Sequence, residues 1–212
     1  KELPSEMEEA AWAVRRIQAL LDQGRSLREA AVFYRTNAQS RSFEEALRRA
    51  GLPDVIVGAM RFYERKEVKD ALAYARLILN PADSASLQRI INVPARGIGK
   101  TSLDRIAAFA EARGISLWEA FVRQAEVPAL TASCRRHAGE LVRTVEKLRS
   151  ETAGATASRA VALILEQTGY WGWLEGQVDT DPEAAGRLEN LQELINSSKE
   201  YEEKAPAGIP LD

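Results

Sequence analysis

The 212-residue sequence contains one cysteine and one histidine, Cys134 and His137. A single cysteine excludes an internal disulfide, and two potential ligands three residues apart are too few for a metal site. No apolar run approaches the ~18 residues of a membrane span, and no signal peptide opens the chain. We therefore expect a cytoplasmic protein with no bound metal and no membrane partner.

An excess of charge of one sign is also missing. The 29 lysines and arginines are balanced by 31 aspartates and glutamates, for a formal net charge of -2. No global positive field attracts nucleic acid, so any contact with DNA must come from a local patch. With 45% hydrophobic and 28% charged residues, the composition is that of a globular chain long enough for one large or two small domains.

The apolar residues repeat at helical spacing along most of the chain. Capping residues such as Ser5 and Ser116 mark helix starts, and glycines such as Gly24 and Gly114 mark helix ends. Two short apolar runs, residues 31–34 and 55–57, have strand length and flank a helix, which predicts a βαβ-like unit. The predicted fold class is mainly α, a bundle-like helical array with a small β element.

Tyr34 and Arg35 lie at the C-terminal end of the first predicted strand. In open α/β sheets, ligands bind at the carboxyl ends of strands. An aromatic ring and a permanent cation at that position suit a nucleotide, because the ring stacks on a base and the guanidinium binds phosphate oxygens. The residues alone leave a purely structural role open for both.

A second motif, VPARGIGKT at residues 93–101, joins two predicted helices in the manner of a helix-hairpin-helix. Gly97 and Gly99 allow the backbone to approach an anion closely, and the N-terminus of the next helix attracts phosphate. Two cations, Arg96 and Lys100, add positive charge. The alternative is a glycine turn without a ligand. The candidate DNA-binding residues are Arg96, Gly97, Ile98, Gly99, Lys100 and Thr101.

The Gly-Lys-Thr triplet within this motif is not a Walker A loop. Such a loop requires a glycine where Pro94 stands and a strand before it, whereas the pattern predicts a helix there. No Asp-Glu pair ends an apolar strand as a Walker B site would. The chain therefore lacks the parts that bind Mg²⁺ and polarise water, and we expect no ATP hydrolysis by this piece alone.

Several segments, taken in order and spacing, closely resemble the superfamily 1 DNA helicases of the UvrD/PcrA/Rep type. The resemblance is carried by YRTNAQSR at 34–41, GAMRFYERKEVKDALAY at 58–74 and NVPARGIG at 92–99, and it weakens after Glu119. The first residue is Lys rather than Met, and residues 208–212 do not continue a helix. We therefore expect an internal piece of such a helicase.

The resemblance implies a division of the chain and roles for its motifs. Residues 1–127 would be the front portion of the second motor domain, an incomplete RecA-like α/β domain, and residues 128–212 the helical start of the inserted accessory domain. ATP and Mg²⁺ would be cofactors of the full-length enzyme. Tyr34 would stack on adenine, and Arg35 would reach the γ-phosphate as a catalytic arginine finger. The Gly-Ile-Gly turn would bind the DNA backbone without reading sequence.

The implied function is ATP-dependent 3′→5′ unwinding of DNA in repair or replication. The implied partners are single-stranded and forked DNA, the remaining helicase domains in cis, and repair or transcription proteins. The rival hypothesis is a non-catalytic helical module that binds DNA or a protein. Two features allow two interpretations each. The charged stretch 61–70 is either a contact with DNA or another domain, or a solvated face. Trp171 and Trp173 are either base-stacking residues or core residues.

Overall fold

The computed structural model describes residues 3–204, and this part of the chain is mainly helical. Three short 3₁₀ turns, at Leu27–Glu29, Asn37–Gln39 and Phe62–Glu64, lie between the longer helices. The ten α-helices of the described residues are α1 Glu6–Asp22, α2 Ser40–Arg49, α3 Lys66–Leu79, α4 Ser84–Ile90, α5 Lys100–Arg113, α6 Leu117–Val122, α7 Ala132–Thr152, α8 Ala157–Gln167, α9 Tyr170–Glu175 and α10 Ala184–Lys204.

Local sequence signals determine where many helices begin and end. The side chains of Ser5, Asp83 and Ser116 each accept a hydrogen bond from the backbone N–H three residues later, which satisfies a donor in the first turn. Gly24 and Gly114 follow their helices at φ +82° and +60°, a conformation that glycine adopts without steric cost. These helix boundaries confirm the predictions made from caps and glycines.

The chain divides into two compact units, Lys1–Arg65 and Lys66–Asp212. In the first unit, α1 packs against α2, and Ala10 and Val14 on α1 are buried. The second unit contains α3 to α10. The division between residues 127 and 128 that the family resemblance implies is a statement about the parent protein, and it stays a prediction.

The hydrophobic core of the second unit draws on six helices, α3 to α8. Its members include Tyr74, Leu77, Leu87, Ile98, Ile106, Phe121, Leu141, Val145 and Ile164, each no more than 2% exposed. Helices α9 and α10 pack on α8, and α10 also packs on α3. The loop between α4 and α5 is tied to this core because Ile98, within the loop, is a core residue.

The predicted β element is wrong for the described residues, since no strand occurs between residues 3 and 204. Residues 31–34 and 55–57 alternate between exposed and half-buried, as they would in a strand, but neither segment is paired. Phe33, Val55 and Val57 are 93%, 86% and 91% exposed. An apolar pattern indicates that a segment suits a sheet, yet a strand forms only when a neighbour satisfies its backbone groups.

None of the helices within residues 3–204 is both long enough and apolar enough to cross a membrane.

Candidate functional site

Tyr34 and Arg35 lie in an irregular segment just before the 3₁₀ turn that leads into α2. Arg35 is exposed, and Tyr34 is half-buried with its ring nearly parallel to that of Phe43, at 6.4 Å between centroids and 16° between planes. The arginine is therefore not packed into the interior of its unit. Its guanidinium is accessible to a ligand, as the predicted phosphate contact requires.

Gln39 determines the backbone geometry at Arg35. Its side-chain oxygen accepts hydrogen bonds from the N–H groups of Arg35 at 2.9 Å and Thr36 at 3.2 Å. These two donors belong to a turn rather than a helix, so the Gln39 amide supplies the acceptor that regular structure would otherwise provide. Gln39 is therefore a residue that fixes the loop at Arg35.

A buried polar network lies directly after this loop. The Ser40 hydroxyl donates to Glu44 at 2.8 Å and accepts from Arg65 Nη2 at 2.6 Å, and Glu44 also accepts from the N–H of Phe62. Ser40, Glu44 and Arg65 are 1%, 5% and 6% exposed. Because each buried polar group has a partner, the network holds the start of α2 in one arrangement.

The Gly-Ile-Gly turn connects α4 to α5 within the second unit. Ile98 is 1% exposed and anchors the turn in the core, while Gly97 and Gly99 on either side are exposed. Gly97 has φ +71°, which favours glycine, and a Cβ at this position would lie 3.7 Å from the His137 ring. A Cβ on Gly99 would meet no atom within 4 Å. The turn thus presents open backbone at Gly99.

The N-terminus of α5 lies at this open backbone. Gly99 is its N-cap and offers no side chain to the first N–H groups, and the 14-residue helix gives the end a partial positive charge. Lys100 and Thr101, the first two helical residues, are exposed. Backbone donors, a helix dipole and one cation therefore face the same solvent region, a combination that suits phosphate.

Arg96 is half-buried and lies against the protein rather than in solvent. Its Nη1 atom lies 2.9 Å from the carbonyl oxygen of Ile90 and 3.2 Å from those of Ile91 and Val93. Its Nη2 atom donates to the Tyr74 hydroxyl at 2.5 Å, and the guanidinium lies over the Tyr74 ring. The guanidinium donates to carbonyls at the C-terminal end of α4, whereas the sequence predicted that it contacts DNA.

Tyr74 is a buried residue of this site that the sequence interpretation missed. Its hydroxyl donates to the carbonyl of Val93 at 2.6 Å. Burial raises the pKa of Tyr74 to about 12, against a smaller lowering by Arg96, so the hydroxyl remains protonated at neutral pH and can donate. No local signal identifies it, because Tyr74 follows the α3 pattern as an ordinary core residue.

Cys134 and His137, the two residues weighed for a metal site, lie on α7 near the turn. Cys134 is buried, and the Nδ1 atom of His137 is buried without a hydrogen-bond partner. Between residues 3 and 204, no three histidine, cysteine, aspartate or glutamate side chains form a group that could hold a metal ion.

The charged stretch 61–70 is partly internal. In the first unit, Arg61 lies 3.0 Å from an Asp54 oxygen. In the second unit, the buried Glu67 accepts from Asn190 Nδ2 at 2.6 Å. Glu64, Lys66 and Lys69 are exposed. The stretch therefore combines an ion pair and a buried hydrogen bond with a solvated face.

The aromatic residues of α9 are partitioned between core and surface. Tyr170 is 2% exposed, and Trp173 is 38% exposed and stacks on it at 5.7 Å between centroids. Trp171 is half-buried and donates from its indole N–H to Glu175 at 2.9 Å. Neither tryptophan is fully buried, so both earlier interpretations remain open for them.

Comparison with known proteins relates this chain to DNA helicases. The model of the UvrD-like helicase C-terminal domain matches residues 1–209. The chain is 40% identical over 200 residues to the ATP-dependent DNA helicase UvrD1 of Mycobacterium tuberculosis, over 93% of this chain and 26% of that protein. It is 38% identical over 202 residues to the ATP-dependent DNA helicase PcrA of Bacillus subtilis, over 95% and 27%. The chain spans about a quarter of the length of the curated relatives it matches.

Proposed function

The chain belongs to the UvrD-like helicases, as their C-terminal domain, and from this premise we propose that it is part of an ATP-dependent 3′→5′ DNA helicase. The relatives at 40% and 38% identity are both named ATP-dependent DNA helicases. The proposed whole protein unwinds forked DNA from a single-stranded segment, with ATP and Mg²⁺ as cofactors and the other helicase domains in cis. Because DNA is the proposed partner, the cytoplasm is the proposed location.

The observation that carries this proposal is the accessible guanidinium of Arg35 on a fixed loop. Arg35 would donate to the terminal phosphate oxygens of a nucleotide, and Tyr34 would contact its base. An arginine in this position stabilises the charge that develops during phosphoryl transfer. The arginine can stabilise this charge only if it is held in place. Gln39 provides this constraint because its side chain accepts a hydrogen bond from the backbone N–H of Arg35. The first motor domain is proposed to supply the nucleotide and the Mg²⁺ ligands.

The Gly-Ile-Gly turn is proposed to bind the phosphodiester backbone of DNA. The open backbone at Gly99, the N-terminus of α5 and the exposed Lys100 support this role. Contacts of this kind position DNA and do not read its sequence. We keep Gly97, Ile98 and Thr101 as parts of the same site, with Ile98 as its anchor in the core.

The domain assignment is a further part of the proposal. Residues 1–127 would belong to the second motor domain and residues 128–212 to the accessory domain. Core residues from both sides of residue 127 pack together, whereas the compact units divide between Arg65 and Lys66. Limited proteolysis of the whole protein would distinguish the two positions, because a protease cleaves an exposed domain boundary sooner than the helices on either side of it.

The substitution Arg35→Ala in the whole helicase tests the nucleotide site. DNA-stimulated ATP turnover should fall by about 10³-fold or more, as for arginine fingers elsewhere, while affinity for single-stranded DNA remains. Arg35→Lys should not restore it, since lysine lacks the planar fork of donors. Arg48→Ala, at an exposed arginine of α2, is the matched control and should turn over ATP normally. Near-normal turnover by Arg35→Ala would refute the assignment.

Added negative charge tests the DNA site. Gly99→Glu and Lys100→Glu should each weaken binding of a blunt duplex measured by fluorescence anisotropy, because a carboxylate would face the phosphates. Lys199→Glu, at an exposed lysine of α10, makes the same change of charge as Lys100→Glu and is the control. If all three variants bind equally, the turn is not the DNA site.

A further inference from the structure

The side chain of Asn92 spans the loop that carries the Gly-Ile-Gly turn. Its Oδ1 atom accepts hydrogen bonds from the N–H of Ile98 at 3.1 Å and of Arg96 at 3.3 Å. Its Nδ2 atom donates to the carbonyl of Ile98 at 2.7 Å. Ile98 is therefore bound through both of its backbone polar groups by one amide, while its own side chain is buried in the core.

This pairing requires an amide and is satisfied in only one orientation. If the oxygen and nitrogen of Asn92 were exchanged, the NH₂ group would face two N–H donors and the oxygen would face a carbonyl. The Asn92 amide thus pairs with the loop as the backbone of a neighbouring strand would. Its oxygen accepts from backbone N–H groups, and its NH₂ group donates to a backbone carbonyl. Asn92 itself is exposed, so it adds little to the hydrophobic core.

The guanidinium of Arg96 holds the other side of the same loop. It lies within 3.3 Å of the carbonyl oxygens of Ile90, Ile91, Val93 and Pro94, and it donates to the Tyr74 hydroxyl. An arginine with this many acceptors is already oriented. For it to reach a phosphate, these contacts would have to break. The carbonyls of Ile90 and Val93 would keep a second donor, the N–H of Val93 and the Tyr74 hydroxyl, whereas those of Ile91 and Pro94 would lose the donor that Arg96 gives them.

We propose that Asn92 and Arg96 are positioning residues that hold the turn in the geometry that binds a phosphodiester, and that Arg96 is not itself a phosphate ligand. The inference rests on the proposed DNA-binding role of the turn. The contacts to phosphate are then made by the N–H groups at Gly99, Lys100 and Thr101 and by the Lys100 side chain. Asn92 and Arg96 act only through the backbone that presents these donors.

Prior positioning matters because the donors are backbone groups. A free loop would lose conformational entropy when it bound phosphate, whereas a loop fixed by Asn92 and Arg96 has lost it on folding. Removal of either residue should therefore weaken DNA binding even though one of them carries no charge. An uncharged residue that changes affinity for a polyanion cannot act by direct charge attraction.

The test measures binding of a blunt 20-base-pair duplex to the 212-residue chain by fluorescence anisotropy across a range of salt concentrations. The variants are Asn92→Ala and Arg96→Gln, with Gln88→Ala as the control because Gln88 is an exposed amide on α4, the helix that precedes the loop. Circular dichroism establishes that each variant is folded at the assay temperature. Should Arg96→Gln fail to fold, Asn92→Ala still carries the test.

We expect Asn92→Ala and Arg96→Gln each to weaken binding about ten-fold, the size of effect that the loss of a few loop hydrogen bonds produces. Both variants should show the same slope of log K against log salt concentration as the unsubstituted chain. The double variant should bind about as weakly as either single variant, and not more weakly by the product of the two losses, since both residues fix one loop. Gln88→Ala should bind as the unsubstituted chain does.

Two results would overturn the inference. One is Asn92→Ala binding as tightly as the Gln88→Ala control. The other is a slope lowered by about 0.9 in Arg96→Gln alone, which would mean that Arg96 neutralises a phosphate. Failure of the proposed function itself has a different signature: Gly99→Glu and Lys100→Glu would then bind the duplex as the unsubstituted chain does.

Discussion

Replacing Asp70 by alanine should destabilise the second unit strongly. Its carboxylate is 2% exposed, accepts from Arg89 Nε at 2.7 Å and accepts from the Tyr170 hydroxyl at 3.1 Å. Burial, and next the negative charge of Asp70, raises the pKa of Tyr170 above its ordinary value, so this hydroxyl stays a donor at neutral pH. In Asp70→Ala, the Tyr170 hydroxyl would remain buried without its acceptor.

The cost follows from the two lost contacts. An orphaned buried donor costs about 1–3 kcal/mol, and a hydrogen bond between charged groups contributes about 1.5–3 kcal/mol. The Arg89 side chain is 37% exposed, and water can replace its lost partner, so we take the lower part of that range. We expect the free energy of unfolding to fall by about 3 kcal/mol, which corresponds to a melting temperature lower by roughly 6–12 °C.

Urea unfolding of the 212-residue chain, followed by circular dichroism, measures this change. Asp104→Ala removes an exposed carboxylate of α5 and should have little effect. Tyr170→Phe should destabilise the unsubstituted chain by about 1 kcal/mol, yet stabilise the Asp70→Ala variant by removing the orphaned donor. The reasoning is refuted if Asp70→Ala costs less than about 1 kcal/mol, or if Tyr170→Phe has the same effect in both backgrounds.

Three further predictions concern single side chains. Ile98→Ala should lower the free energy of unfolding by about 2–5 kcal/mol in urea, because it truncates a core side chain that is 1% exposed. Hydrogen bonds from Ser86 hold the pKa of Asp83 below its ordinary value. The cap therefore stabilises α4 fully at a pH above the ordinary pKa of aspartate, and this contribution is lost as the pH falls through the lowered pKa. The deficit in melting temperature of Asp83→Ala should shrink on acidification. Gln39→Leu should lower ATP turnover of the whole helicase about ten-fold by releasing the loop at Arg35, and Gln39→Glu, which keeps an acceptor, should retain more activity.

Helix boundaries were predictable from the sequence because they depend on short-range contacts. The hydroxyls of Ser5 and Ser116 and the carboxylate of Asp83 bond to N–H groups three residues away, and Gly114 adopts its left-handed conformation directly after α5. Each of these interactions involves residues within one turn of the helix. Reading neighbouring residues together is therefore sufficient to locate them.

The strand predictions were wrong because strand formation does not depend on short-range contacts alone. Residues 31–34 and 55–57 have apolar residues at the spacing of a strand, and this much is a local property. Whether a segment becomes a strand depends on a hydrogen-bonding neighbour, which is often far away in sequence and which the segment itself does not specify. The high exposure of Phe33, Val55 and Val57 is the consequence of an apolar pattern without that neighbour.

Arg96 and Lys100 show why a count of cations overstates a DNA site. In the sequence they are two equivalent positive charges on either side of Gly-Ile-Gly, and two phosphate contacts would add about 1.8 to the salt slope for duplex DNA. In the structure Arg96 donates to main-chain carbonyls and to Tyr74, 22 residues earlier, whereas Lys100 is exposed at the start of α5. Only one contact, and about 0.9 of slope, is then expected from this pair. Because carbonyl acceptors are present at every residue, no residue type in the motif distinguishes an arginine that binds phosphate from one that binds its own backbone.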